Sequence, residues 1–222
     1  MHTLRWARLG IPMALFPFLI GLPAHAQGRW SASVFGGAGV PVGDFSDDAG
    51  ESAGLATAGF VLGSDLAIRI PAVSGLDWLS TIQGVSFGVD EGFLQDIPVA
   101  AEVDLGRYWG ALLMSGLRYG IGPGPTRVQF AGQVVIGMMR APNGTVTAVG
   151  EEFELESFWE PVKGISGGLG LAVGDRVSVD ARYETFFNPE VRGELRYQGT
   201  VEELEGEQPM SWIRVTVGLR VW

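Results

Sequence analysis

Residues 211–222 read SWIRVTVGLRVW, and the alternation in that run decides the fold. Ile213, Val215, Val217, Leu219 and Val221 share one face, and Trp212, Arg214, Thr216, Gly218, Arg220 and Trp222 the other, because successive strand side chains point to opposite faces. One strand therefore has an oily side and an arginine side, and the sequence stops inside it on an aromatic residue. Which side meets the surrounding medium, and what that medium is, follow from the rest of the chain.

The sequence begins MHTLRWARLGIPMALFPFLIGLPAHAQ, with positive charge at Arg5 and Arg8, an apolar stretch over 9–22 and an Ala24-His25-Ala26 site. This pattern predicts a secretory signal peptide over 1–26, cleaved after Ala26, and one domain over 27–222. No other apolar segment approaches the ~20 residues of a membrane helix, although 46% of residues are hydrophobic and 34 are glycine. A helical membrane protein is excluded. With no cysteine there is no disulfide staple, so the exported chain is held by a core or by a closed hydrogen-bonded sheet. The formal charge of −10 becomes about −12 once Arg5 and Arg8 leave, which excludes nucleic acid as a partner, since phosphate contacts need clustered Lys and Arg. Both histidines, His2 and His25, leave with the signal.

Period-two segments recur near 30–39, 55–69, 77–88, 108–120, 127–140, 164–173, 176–187 and 211–222, eight in all. Their connections alternate: long at 40–54, 89–107, 141–163 and 188–210, short at 70–76, 121–126 and 174–175. In an up-and-down meander this places every long loop at one end, the asymmetry of outer-membrane barrels. The expected fold is all-β, an eight-stranded antiparallel up-and-down transmembrane β-barrel.

The faces are consistent with hydrocarbon outside. Phe60, Leu62, Leu66 and Ile68 oppose Asp65 and Arg69; Trp109, Leu113, Leu117 and Tyr119 share a face with aromatics at both ends; Phe130, Val134 and Ile136 oppose Gln129 and Gln133. Leu169 and Leu171 oppose Ser166, Gly168 and Gly170; Val177, Val179 and Tyr183 oppose Asp180, Arg182 and Glu184. These residues, with Ile213, Val215, Val217 and Leu219, are expected to face lipid. A soluble barrel with the faces exchanged would show mostly Gly, Ser and Ala outside, whereas soluble surfaces are rich in Lys and Glu. The lumen is then polar and lined by small residues, with Asp65, Asp180 and Glu184 set against Arg69, Arg118, Arg182, Arg214 and Arg220 as a salt-bridged plug. Arg214 is expected to pair with a carboxylate on the seventh strand. The third strand, WLSTIQGVSFG, shows no phase.

Taken together, the signal, the eight strands, the four long loops and the terminal aromatic Trp222 resemble the small outer-membrane barrels of the OmpA membrane-domain and OmpX type. Pro41-Val42-Gly43-Asp44-Phe45 is similar to a Pro-x-Gly-Asp-Phe stretch common in that superfamily. In the family the terminal aromatic usually takes the lipid-facing phase, whereas Trp222 falls on the arginine face; a bulge near Arg220, or altered recognition by the assembly machinery, would account for it. The resemblance implies a bacterial outer-membrane location with long loops extracellular and termini periplasmic, a monomer, and as partners outer-membrane lipid, lipopolysaccharide and the barrel-assembly machinery.

Other motifs have plainer readings. Gly84-Val85-Ser86-Phe87-Gly88 matches a nucleophile elbow, but that chemistry needs a strand-turn-helix and a histidine. Gly37-Ala38-Gly39 and Gly168-Leu169-Gly170 lack the helix and ribose-binding acid of a dinucleotide loop. No catalytic residue, cofactor or metal site is expected. Of 25 acidic residues, 20 lie in the long connections, which are expected to be a solvated, self-repelling surface. Glu152-Phe153-Glu154-Leu155-Glu156 alternates again, so within the third long connection the segment 149–161 is expected to protrude as a ribbon whose edge could recruit an extracellular partner strand. The expected role is structural or surface-interacting, adhesin-like; the rivals are a lipid-modifying envelope enzyme and a narrow solute channel.

Overall fold

The computed structural model describes residues 30–47, 54–91, 100–122, 126–148, 151–187 and 189–222. The expected signal, 1–26, lies outside the described residues.

Eight strands form a closed barrel: β1 (Trp30–Pro41), β2 (Ala56–Arg69), β3 (Leu76–Val89), β5 (Tyr108–Ile121), β6 (Arg127–Arg140), β9 (Trp159–Val173), β10 (Val177–Phe186) and β13 (Ser211–Arg220). Each pairs antiparallel with its neighbours in chain order, and β13 closes on β1. The remaining strands, β4 (Ala100–Leu105), β7 (Gly144–Ala148), β8 (Glu151–Ser157), β11 (Glu190–Tyr197) and β12 (Thr200–Glu207), form a separate sheet in the order β12-β11-β8-β7-β4. All five come from the long connections. Glycine makes the short turns tight: Gly75 and Gly174 sit at φ +83° and +66°, a left-handed conformation that other residues adopt only with strain, and a Cβ on Gly75 would also lie 2.5 Å from the Gly120 carbonyl oxygen.

The closing seam runs in register from Ser33 opposite Arg220 to Pro41 opposite Trp212. Beyond Arg220 the phase changes. The amides of Val221 and Trp222 both donate to the Ala32 carbonyl, at 2.9 and 3.2 Å, so two residues oppose one and the strand is bulged. Trp222 therefore leaves the arginine face and stacks on Trp30, ring centres 5.7 Å apart, on the outside of the barrel. Of the two alternatives, the bulge is the one the structure contains.

Inside, the wall is lined closely enough that several positions admit only glycine. A Cβ on Gly37, which points inward at the seam, would lie 2.0 Å from the Val215 carbonyl oxygen, whereas Gly132, on the outer face, has nothing within 4 Å. Gly37→Val is expected to prevent β1 from pairing with β13 and to abolish the compact band of unboiled gel samples, while Gly132→Ala migrates as the wild type does. A compact band for Gly37→Val would contradict the seam.

Candidate functional site

The lumen is filled in layers. At the end bearing the long connections, the turn Gly43–Phe45 folds into the bore and buries Phe45 completely. Phe45 meets Phe87 and Tyr108 edge-on at 5.4 and 5.1 Å, and Trp212 packs against Phe87 and Phe186 at 5.0 and 4.8 Å. Val61, Val85, Leu112, Met114, Val135 and Met139 belong to the same cluster. The expectation of a polar lumen lined by small residues is thus corrected for this half, which is an apolar, aromatic plug. Every member but Phe45, which enters from its turn, shares the inward phase of its strand, and excluding water from the bore favours packed hydrocarbon there as in any core.

The expected charged network lies beneath the plug. Glu184 is fully buried, and its Oε2 accepts from Gln83 Nε2 at 2.7 Å and from Trp212 Nε1 at 2.8 Å. Arg214 Nε approaches Glu184 Oε1 at 3.4 Å as a charge contact without a hydrogen bond, Arg214 Nη1 donates to Gln83 Oε1, and the guanidinium lies 4.8 Å over the Phe35 ring. The carboxylate expected on the seventh barrel strand is therefore Glu184 of β10. Arg182 stands directly opposite Arg214 across β10 and β13. Two like charges in that position repel. Carboxylates on either side offset this: Asp180 at 3.6 Å and Asp65 at 4.0 Å from Arg182 Nη2, with Gln133 Oε1 accepting from its Nη1 at 2.6 Å. Asp65 in turn accepts from Thr81 Oγ1 at 2.5 Å.

The other members of the expected network are not brought into it. Arg118 pairs with Asp77 at 2.9 Å toward the short-turn end, while Arg69 and Arg220 are exposed there. Asp77, Thr81 and Gln83 went unrecognised in the sequence because all lie on β3, the strand without a legible phase. That phase is now plain: Asp77, Leu79, Thr81, Gln83, Val85 and Phe87 point in, Trp78, Ser80, Ile82 and Ser86 point out. Ser86 faces away from the lumen and is sealed between Phe60 and Trp109, whose rings meet at 5.8 Å, with Arg107 Nε donating to its Oγ at 2.8 Å. The residues expected to face lipid all lie on the outer wall, from Phe60, Leu62, Leu66 and Ile68 on β2 to Ile213, Val215, Val217 and Leu219 on β13; Leu66 is half-buried.

The fold of the long connections was largely unforeseen. In the outer sheet one face carries Val103, Leu105, Val146, Phe153, Leu155, Val191, Leu195, Tyr197 and Leu204, with Glu151, which accepts from the Tyr197 hydroxyl, and Glu202 as its two carboxylates. The other carries Glu102, Asp104, Glu152, Glu154, Glu156, Glu190, Glu194, Glu203, Glu205 and Glu207, relieved by Arg192 and Arg196. Arg192 bridges Glu190 and Glu205 at 2.9 and 3.0 Å, and Arg196 bridges Glu156 and Glu194 at 2.9 and 2.8 Å. The field of Glu205 first, then Glu160 and Glu190, pushes the Arg192 pKa further up. Leu155, Val191 and Leu204 line a cleft of about 410 Å³ together with Leu55, Tyr108 and Pro142 of the barrel mouth, with Arg192, Glu205 and Glu207 also on its lining. Val103 is buried and Leu105, Phe153, Leu155, Val191 and Leu195 are half-buried, whereas Glu102, Asp104, Glu152, Glu154 and Glu156 are exposed, so the apolar face is the covered one and the acidic face the outer one. Among the described residues no group of acids is arranged to hold a metal ion. Within the expected ribbon, of which residues 149 and 150 lie outside the described residues, β8 is not an edge: it is paired on both sides, by β7 and β11, and the open edges belong to β4 and β12.

No family model matches this chain, and no curated protein matches its sequence. Solved structures do match its shape. A major outer membrane protein from Thermus thermophilus is similar over 86% of this chain and 98% of that one, at 13% identity and a TM-score of 0.53. The fold is that of the small eight-stranded outer-membrane barrels. Neisserial surface protein A matches over 86% of this chain and 96% of that one at 13% identity and TM-score 0.41, and OprG of Pseudomonas aeruginosa over 86% and 96% at 9% identity and TM-score 0.48. At such identities the likeness extends to the fold and not to the chemistry of any side chain.

Because Glu184 has no water to turn to, Arg214→Ala is expected to cost about 3–5 kcal/mol of barrel stability, measured by denaturant unfolding in detergent micelles. The double variant Arg214→Met with Glu184→Leu, which removes both charges, is expected to recover most of that loss. A cost under about 1 kcal/mol for Arg214→Ala would contradict the pairing.

Proposed function

We propose that this protein is an integral component of a bacterial outer membrane, non-conducting, with a structural and surface-interacting role carried by its outer sheet. The observation that supports this reading best is the exposed belt on the outer wall. Leu62, Ile82, Val134, Ile136, Leu169 and Val217 are each more than half exposed, in a contiguous apolar surface far larger than a water-soluble monomer tolerates. Two aromatic rows bound the belt: Phe60, Trp109, Trp159 and Tyr183 toward the long connections, and Trp30, Trp78, Tyr119 and Trp222 toward the short turns. Such rows sit at the two membrane interfaces. The barrel strands have 10 to 15 residues, and about 9–11 suffice to cross a bilayer.

On this reading the long connections lie outside the cell and the chain termini in the periplasm. The plug of Phe45, Phe87, Tyr108 and Trp212 above the Glu184–Arg214 layer argues against a solute channel. The ten-carboxylate face of the outer sheet is the surface offered to extracellular partners, and its open β12 edge replaces the third loop as the place where an extended partner strand would pair.

Expressed with its leader, the protein is expected in the outer-membrane fraction after urea washing, and recovery in the soluble periplasm would contradict the reading. In planar bilayers it is expected to show no conductance steps; regular steps would contradict the closed lumen.

A further inference from the structure

The charges on the outside of the barrel are few, and all have one sign. Among the outward-pointing residues of the eight barrel strands only Arg140 and Lys163 are charged, and Arg107, immediately before β5, joins them. No carboxylate points outward from these strands. All three cations lie on the β5–β6–β9 side of the wall at the end bearing the long connections, just below the acidic outer sheet. In a chain of net charge −10 that segregation calls for a physical reason.

The register places them together. Arg140 stands directly between Trp109 on β5 and Trp159 on β9, both exposed in the loop-side aromatic row. Arg107 reaches the same row from above, its guanidinium 5.8 Å from the Phe60 ring centre and its Nε anchored on Ser86. Lys163 lies on β9 four residues from Trp159, about 13 Å further into the apolar belt, with a stem long enough to carry its ammonium back toward the row. None of the three forms an ion pair among the described residues, and Arg140 Nε is buried without a hydrogen-bond acceptor. A lysine on a lipid-facing wall is costly at the midplane and least costly near the interface, so its ammonium is drawn toward the aromatic row, where an anion would pair with it.

Resting on the outer-membrane reading, we propose that Arg107, Arg140 and Lys163 form a binding site on the barrel wall for the phosphate groups of a phosphorylated glycolipid in the surrounding leaflet. The guanidinium forks take phosphate oxygens bidentately, Lys163 takes a second phosphate or the glycerol-side oxygens as a point charge, and Trp109 and Trp159 hold the sugar and the first methylenes at interfacial depth. Among the described residues of the barrel wall at this end, the strip carries cations and no carboxylate, whereas the sheet above it carries ten carboxylates on its outer face.

The test is lipid retention by the purified, detergent-solubilised mature protein, counted by native mass spectrometry with a diphosphorylated glycolipid, its dephosphorylated counterpart and inorganic phosphate. One diphosphorylated molecule per protein is expected to be retained, with the dephosphorylated counterpart lost and inorganic phosphate unable to displace it. Arg107→Gln with Arg140→Gln is expected to weaken retention about tenfold or more, and Arg140→Lys to lie between. These side chains point away from the core, and unboiled gel migration checks that the variants fold; should the double variant not fold, Lys163→Gln replaces it. Equal retention of both glycolipids, unchanged retention by the variants, or displacement by inorganic phosphate would overturn the site. A protein that stays dispersed without surfactant would instead overturn the membrane reading itself.

Discussion

Everything in this molecule depends on the β1–β13 seam. A sheet in hydrocarbon cannot leave an edge unpaired, because each orphan backbone group costs several kcal/mol with no water to satisfy it. The nine paired positions from Ser33–Arg220 to Pro41–Trp212 remove that edge, and the bulge at Val221 and Trp222 finishes the closure by turning the last ring outward onto Trp30. Closure also decides what lies inside. With eight strands the bore is only as wide as side chains can fill, so inward residues away from its ends pack, hydrogen-bond or meet an opposite charge.

The lumen shows how these demands are divided. Toward the long connections, where the turn Gly43–Phe45 can dip in from above, dispersion fills the space. Deeper, Arg182 and Arg214 face each other across one ladder rung, and that repulsion is tolerable only because Glu184, Asp180 and Asp65 surround the pair. Gln83 and Gln133 tie the layer to the opposite wall: Gln83 donates to Glu184 and accepts from Arg214, and Gln133 accepts from Arg182. The sheet outside the barrel solves the converse problem. Its apolar face turns toward the barrel mouth and its acidic face toward water, so connections too polar to enter a membrane still bury a hydrophobic surface.

Much of this was legible in the sequence, and for identifiable reasons. The eight strands and the Arg214 pairing follow from period two alone, because in Ile213–Leu219 or Val177–Tyr183 the two environments differ sharply. On β3 they do not: Leu79, Val85 and Phe87 point into the aromatic plug while Ser80 and Ser86 point out, so hydrophobicity carries no phase there. The plug was missed for the same reason, since an inward Phe or Met reads as a fault in a polar face. The outer sheet was visible only at Glu152–Glu156. Its other strands mix glycine and acids, and their pairing partners come from connections far apart in the chain.

The central claim is that the greasy side of a sealed cylinder touches hydrocarbon. Because the chain has no cysteine, single cysteines placed from Ile213 to Leu219 can each carry a spin label in the reconstituted protein. The account predicts that labels at 213, 215, 217 and 219 collide freely with oxygen and are shielded from a water-soluble nickel chelate, while labels at 216 and 218 are shielded from both. Nickel access at 215 and 217, or oxygen access with no two-residue period, would contradict it.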